Sequence, residues 1–84
     1  MPPKIVVFSM ATCPYCISLK GFLKEKGLEY TDYDVEHDLD NYALMKKMAP
    51  GIRTVPAVVI NDGEKILTGF ERAEYEAALA ETGA

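Results

Sequence analysis

Four consecutive apolar residues, Ile5-Val6-Val7-Phe8, constrain this chain more than any other stretch. Ile5, Val6 and Val7 are β-branched, Phe8 is aromatic and no polar residue alternates with them. The segment therefore reads as a strand buried on both faces, which belongs at the centre of a sheet. The next segment supplies a cover for it. Pro14 stands near the first position of a helix, where its missing N–H is harmless; Ile17, Leu19, Phe22 and Leu23 are the apolar positions and Gly27 ends the helix. Leu28 to Val35 reads as a second strand, with Tyr30, Tyr33 and Val35 as bulk and its acids outward. Strand, helix and strand within about thirty residues make a right-handed βαβ unit with parallel strands.

The second half changes hand. Asp38 or Asp40 is placed to cap a helix whose apolar positions are Leu39, Tyr42, Met45 and Met48, and Pro50-Gly51 stops it. Ala57 to Ile60 and Lys65 to Thr68 flank Asn61-Asp62-Gly63-Glu64, a hairpin signal that makes these two strands antiparallel. After Gly69, residues Glu71 to Glu81 predict a last helix with acids in its first turn and Tyr75, Ala78 and Leu79 inward. The order βαβαββα describes an α/β fold, with a four-stranded mixed sheet flanked by three helices. At 84 residues there is room for one core and one domain, 1–84.

Composition excludes several classes of function. Apolar residues make up 49% of the chain and charged ones 26%, the proportions of an ordinary globular protein. A net charge of −4 argues against nucleic acid as a partner. The acids of the run Glu29, Asp32, Asp34, Glu36, Asp38 and Asp40 are expected to form a solvated edge. No apolar run is long enough for a membrane span or a signal-peptide core, so a reducing cytoplasmic setting is expected.

Cys13-Pro14-Tyr15-Cys16 carries the chemistry. Both cysteines of the chain lie one helical turn apart, near enough to close or open a small disulfide ring. A ring so small constrains the unfolded chain little, which makes reversible exchange a better use for it than stapling. At a helix N-terminus, unpaired N–H groups and the macrodipole favour a thiolate at Cys13. Cys16, deeper in the turn, is the natural resolving thiol. The competing use of the pair is metal. Zinc usually takes four ligands, and the one histidine, His37, lies in the acidic segment with no third cysteine to help. A dimer pooling its sulfurs around zinc or an iron–sulfur cluster is the alternative to redox catalysis.

With Thr54-Val55-Pro56 and the Gly69-Phe70 turn added to this motif, the chain resembles the glutaredoxin family of the thioredoxin-like fold over nearly its whole length. The resemblance implies a cytoplasmic, monomeric dithiol–disulfide oxidoreductase with Cys13 as nucleophile and Cys16 resolving. On ligand count no metal is expected, nor any tightly bound cofactor, and glutathione is the candidate reductant or co-substrate. The resemblance also implies a cis Val55-Pro56 bond beside the cysteines, leaving the Val55 backbone free to pair with an extended substrate. Thr12, Pro14, Tyr15, Arg53, Thr54, Val55, Pro56, Gly69 and Phe70 are the expected substrate-binding residues. Two positions depart from the glutathione-using pattern: Met10 lies in the stretch before Cys13 that often holds a cation, and Arg72 stands where an acid would meet the glutathione ammonium. Gly69-Phe70 instead is similar to the turn in the glutaredoxin-like hydrogen donors of ribonucleotide reductase. The electron donor is thus left open between glutathione and thioredoxin reductase, with protein disulfides as substrates.

Overall fold

The structure is a computed structural model that describes residues 4–52 and 54–82. Its elements are β1 (Ile5–Ser9), α1 (Pro14–Glu25), β2 (Thr31–Asp34), α2 (Leu39–Met48), β3 (Ala57–Ile60), β4 (Lys65–Thr68) and α3 (Arg72–Glu81). The strands lie in the order β2-β1-β3-β4, with β2 parallel to β1 and the other pairs antiparallel. The thioredoxin-like arrangement expected from the sequence is therefore present.

All five residues of β1 are buried, and their alternation divides the core in two. Ile5 and Val7 pack with Leu19, Phe22 and Leu23 of α1 and with Tyr75, Ala78 and Leu79 of α3. Val6 and Phe8 pack on the opposite face with Met45 and Ala49 at the end of α2. Val58 and Ile60 join the first cluster and Ala57 and Val59 the second, so β3 shares β1's two-sided burial. Apolar burial on both faces is what fixes the register, since a slip of one residue would exchange the two sets.

Helix ends follow local chemistry. Gly27 takes a φ of 71° after α1, its N–H meets the Lys24 carbonyl, and the Leu28 N–H reaches back to Leu23. This pair of bonds satisfies carbonyls that the helix leaves open, and glycine adopts the required left-handed backbone without a Cβ clash. Asp38 caps α2, its carboxylate accepting from the Asp40 and Asn41 amides at 2.9 and 3.3 Å. The hairpin after β3 turns through Asn61 and Asp62 at φ of 51° and 59° and Gly63 at 120°. Asn61 ties that turn to the start of β1 by bonds of 2.8 and 2.9 Å with the Lys4 backbone.

Three expectations need correction. The second strand covers Thr31–Asp34 rather than 28–35: its register with β1 starts at Val6–Thr31, so Leu28 to Tyr30 have no partner strand there, and Leu28 serves the end of α1. Ile17 and Leu39 are not core positions but are 61% and 85% exposed. Ile17 follows buried Cys16 by one residue and is rotated about 100° around α1, while Leu39 occupies the first, solvent-facing position of α2. The last helix starts at Arg72, with Glu71 as its cap residue. The acidic run is the solvated edge expected, its acids exposed save half-buried Asp34, and some also bond locally, Asp32 to Ser9 and Lys20 and Asp38 to the first turn of α2.

Candidate active site

Both cysteines lie where α1 begins, just beyond the C-terminal end of β1, the usual place for chemistry beside parallel strands. The Cys13 N–H bonds the Met10 carbonyl at 3.2 Å, closing the turn that lifts the chain out of the sheet. Cys13 is the N-cap residue, with extended backbone at φ −86° and ψ 114°. Its sulfur occupies the position where serine or aspartate oxygen commonly accepts from the first turn. The Cys16 N–H donates to Cys13 Sγ at 3.3 Å, giving negative charge on that sulfur a partner.

The two thiols are free and differ in access. Cys13 is part-exposed, and its Sγ lies 3.9 Å from the Val55 carbonyl oxygen. Cys16 is wholly buried. Burial first, and then the hydrogen bond to Cys13, push the Cys16 thiol up to about 11; the Met10 backbone and the Lys20 charge act in the opposite direction.

The expected substrate-binding residues divide into those gathered round Cys13 and those that are not. Val55-Pro56 is cis, Pro56 is buried, and Thr54 is exposed beside it. The Gly69 N–H meets the Pro56 carbonyl at 2.9 Å, which brings the second turn onto the same segment. Tyr75 of α3 donates its hydroxyl to the Gly69 carbonyl at 2.5 Å; burial holds that phenol well above its ordinary range. Pro14 and Tyr15 are exposed on the first turn of α1, with Tyr15 63% accessible. Thr12 bonds Glu36 at 3.3 Å across the rim. Phe70 instead joins an aromatic cluster, its ring centroid 5.7 Å from Phe22 and 5.6 Å from Tyr75. Arg53 lies outside the described residues.

Arg72 is engaged by acids of α1 and α3. It bonds Glu25 and Glu76 at 3.4 and 3.3 Å and stacks 5.0 Å over Phe22, toward the far end of α1. An open groove of about 520 Å³, lined by Lys4, Ile5, Leu28, Glu29, Tyr30 and Thr31, lies at the opposite end of β1 from the cysteines. Cys13 is part-exposed and does not line this groove. Among the described residues no cluster of three or more His, Cys, Asp or Glu is arranged to hold a metal ion.

Comparison with known proteins bears on this arrangement. The glutaredoxin family model matches residues 5–66. The chain belongs to the glutaredoxin family. It is 34% identical over 59 residues to a probable glutaredoxin of Synechocystis sp., covering 70% of this chain and 67% of that protein. A second probable glutaredoxin of that organism is matched over only 54% of its length, at 36% identity. Among solved structures, a thioredoxin-like protein superposes with a TM-score of 0.76 at 32% identity, over 90% of this chain and 100% of its own. Buckwheat glutaredoxin, in its complex with glutathione, gives a TM-score of 0.69 at 29% identity, over 98% of this chain and 81% of its own. Family and fold together support a thiol–disulfide oxidoreductase. They lend nothing to the metal-carrier alternative.

The motif was visible in the sequence, whereas three neighbours of this glutaredoxin-family site were not singled out as functional. Ser9, Lys20 and Asp32 make a polar chain between the sheet and α1. The spacing of Cys16 and Lys20, one turn apart on one helix, was the available signal.

Proposed function

We propose that this chain is a dithiol–disulfide oxidoreductase in which Cys13 attacks and Cys16 resolves. One contrast carries the assignment: Cys13 is part-exposed at the N-terminus of α1 and its sulfur takes an amide N–H, while Cys16, one turn further on, is fully buried. The Cys13 thiolate attacks a substrate disulfide, forming a mixed disulfide and releasing one substrate thiolate. Cys16 then attacks Cys13 Sγ, the second substrate sulfur departs with the electron pair, and the Cys13–Cys16 disulfide remains. An external dithiol or two glutathione thiols return it to the reduced form.

Protein disulfides and glutathione mixed disulfides are the substrate classes in this reading. The exposure of Thr54 next to the cis Val55-Pro56 bond supports the first, since an extended chain can pair with backbone at such a segment. Structural likeness to buckwheat glutaredoxin, whose complex holds glutathione, supports the second. The engagement of Arg72 with Glu25 and Glu76 favours glutathione further, because it removes the cation that the sequence had set against the ammonium. Glutathione is accordingly the proposed electron donor, with thioredoxin reductase as its competitor. The setting is proposed to be cytoplasmic and the protein monomeric; no helix among the described residues is long and apolar enough to cross a membrane.

Two measurements test the proposal. Cys16→Ser is expected to accumulate a mixed disulfide at Cys13, seen by mass spectrometry after exposure to oxidised glutathione, and Cys13→Ser to lose dithiol reductase activity. Full activity in Cys13→Ser overturns the assignment. Turnover with glutathione and its reductase, set against turnover with thioredoxin reductase, decides the donor.

A further inference from the structure

Ser9, Lys20 and Asp32 are joined in a way that the exchange chemistry at Cys13 does not explain. Ser9 ends β1, is 2% exposed, and by strand alternation follows Ile5 and Val7 on the face toward α1. Its hydroxyl donates to Asp32 Oδ1 at 2.6 Å. Asp32 pairs with Val7 in the β1–β2 register and so faces the same way. Its other oxygen, Oδ2, accepts from Lys20 Nζ at 3.0 Å. An unpaired lysine would extend its head into solvent. This one is drawn back: the Lys20 and Asp32 side chains are 25% and 33% exposed.

Lys20 stands four residues after Cys16, one turn along the same face of α1. The two groups feel each other, since a charge on Cys16 raises the Lys20 ammonium and Lys20 lowers the Cys16 thiol. Of the other groups near Cys16, Cys13, Met10 and Tyr75 carry no charge when it must react. Cys13, at the cap, is then tied up in the mixed disulfide. Met10 offers only backbone from the preceding turn. Tyr75, on α3, is close enough to sense Cys16, but burial keeps its phenol neutral. Asp32, the counter-charge on β2, is already bonded to Ser9 and Lys20.

We infer that Lys20, held in place by Asp32 and Ser9, is a positioning residue for the resolving step, its ammonium stabilising the thiolate that buried Cys16 forms to attack the mixed disulfide on Cys13. The role rests on the dithiol cycle. In that step Cys16 loses its proton to solvent and its sulfur electron pair forms the Cys13–Cys16 bond. The bond between Cys13 and the substrate sulfur breaks, and the substrate leaves as a thiolate that takes a proton from solvent.

Dithiobis(nitrobenzoate) at one equivalent separates the two steps. One coloured thiolate is released when Cys13 attacks, and a second when Cys16 resolves. Stopped-flow traces from neutral to alkaline pH should show Lys20→Gln slowing the second release about threefold to tenfold near neutrality and raising its pH midpoint by about half a unit to one unit, with the first release unchanged. Lys20→Arg, which keeps the charge, should restore the wild-type midpoint. Lys20→Met keeps the packed stem and gives the same readout should the glutamine variant be unstable. An unmoved midpoint in Lys20→Gln and Lys20→Met overturns the inference, as does an arginine variant as slow as glutamine. A wild-type protein releasing one equivalent, or a Cys16→Ser variant still releasing two, would instead defeat the dithiol cycle, without reference to Lys20.

Discussion

The Cys16 amide points at Cys13 Sγ from 3.3 Å, so the residue that sits wholly inside the protein supplies the hydrogen bond to the sulfur that sits at its rim. Reactivity should divide accordingly. Brief treatment with iodoacetamide near neutral pH is expected to alkylate Cys13 first, and peptide mapping should find Cys16 unmodified until the medium approaches pH 11. Equal labelling of both at neutral pH would refute this division.

The same thiol gives an alkaline signature. Its ordinary value is 9.0 and folding raises it to about 11, mainly by burial, so the folded state prefers the neutral form. That preference adds stability which is complete below pH 9.0 and disappears as pH rises toward 11. Urea midpoints of the reduced protein should fall across this window, and Cys16→Ala should flatten the fall.

Removing the Tyr75 hydroxyl leaves the Gly69 carbonyl without its donor. Tyr75→Phe is expected to cost about 1 kcal/mol, from the usual net worth of such a bond. In a domain of this size that corresponds to a melting temperature lower by about 4 to 8 °C. An unchanged melting curve would show that the bond adds nothing.

Asp38 holds two amides at the start of α2. Asp38→Ala should destabilise the fold by about 1 kcal/mol, the typical effect of losing an N-cap, while Asp38→Asn loses less because its amide oxygen still accepts. Chemical denaturation of the three proteins ranks them.

His37 is bonded to Asp34 at 3.1 Å and lies 3.5 Å from Glu36; Asp34 first and then Glu36 raise the imidazole above its ordinary 6.5, while the His37 bond and the Glu36 amide lower Asp34. The contribution of His37 is full below pH 6.5 and lost as pH climbs through the raised value; that of Asp34 is present above 3.8 and lost as pH falls through the lowered one. An NMR titration of the imidazole should give a midpoint above 6.5 that drops in Asp34→Asn. Both groups are exposed, so the effect on overall stability is small.

Much of the fold was legible because pattern and packing agree. Ala57 to Ile60 and Lys65 to Thr68 match β3 and β4 to the residue: β-branched runs end abruptly at Asn61-Asp62-Gly63, whose left-handed backbone fixes the turn. Tyr75, Ala78 and Leu79 face inward as their helical spacing predicts, on the one face of α3 that meets the core. Leu28 to Tyr30 were misread because strand propensity is local, whereas a strand needs a partner at its own height in the sheet. Leu39 and Ile17 failed for a related reason, since apolar spacing does not reveal where a helix loses contact with the sheet. At the site, Cys13 and Cys16 announce themselves by spacing. Asp32 does not: its register opposite Val7 sets it against Lys20 and Ser9, and register is a property of two strands rather than of one sequence segment.

Tyr75 grips Gly69, and Gly69 grips Pro56, so α3 steadies the turn beside Cys13 from outside the residues, 5–66, that match the family model. The shelf next to the thiols thereby takes part of its support from a helix that also closes the core behind them. Exchange of the last helix between relatives would alter how a substrate is seated before it altered how sulfur attacks sulfur, giving this small scaffold a tuning screw at its rear.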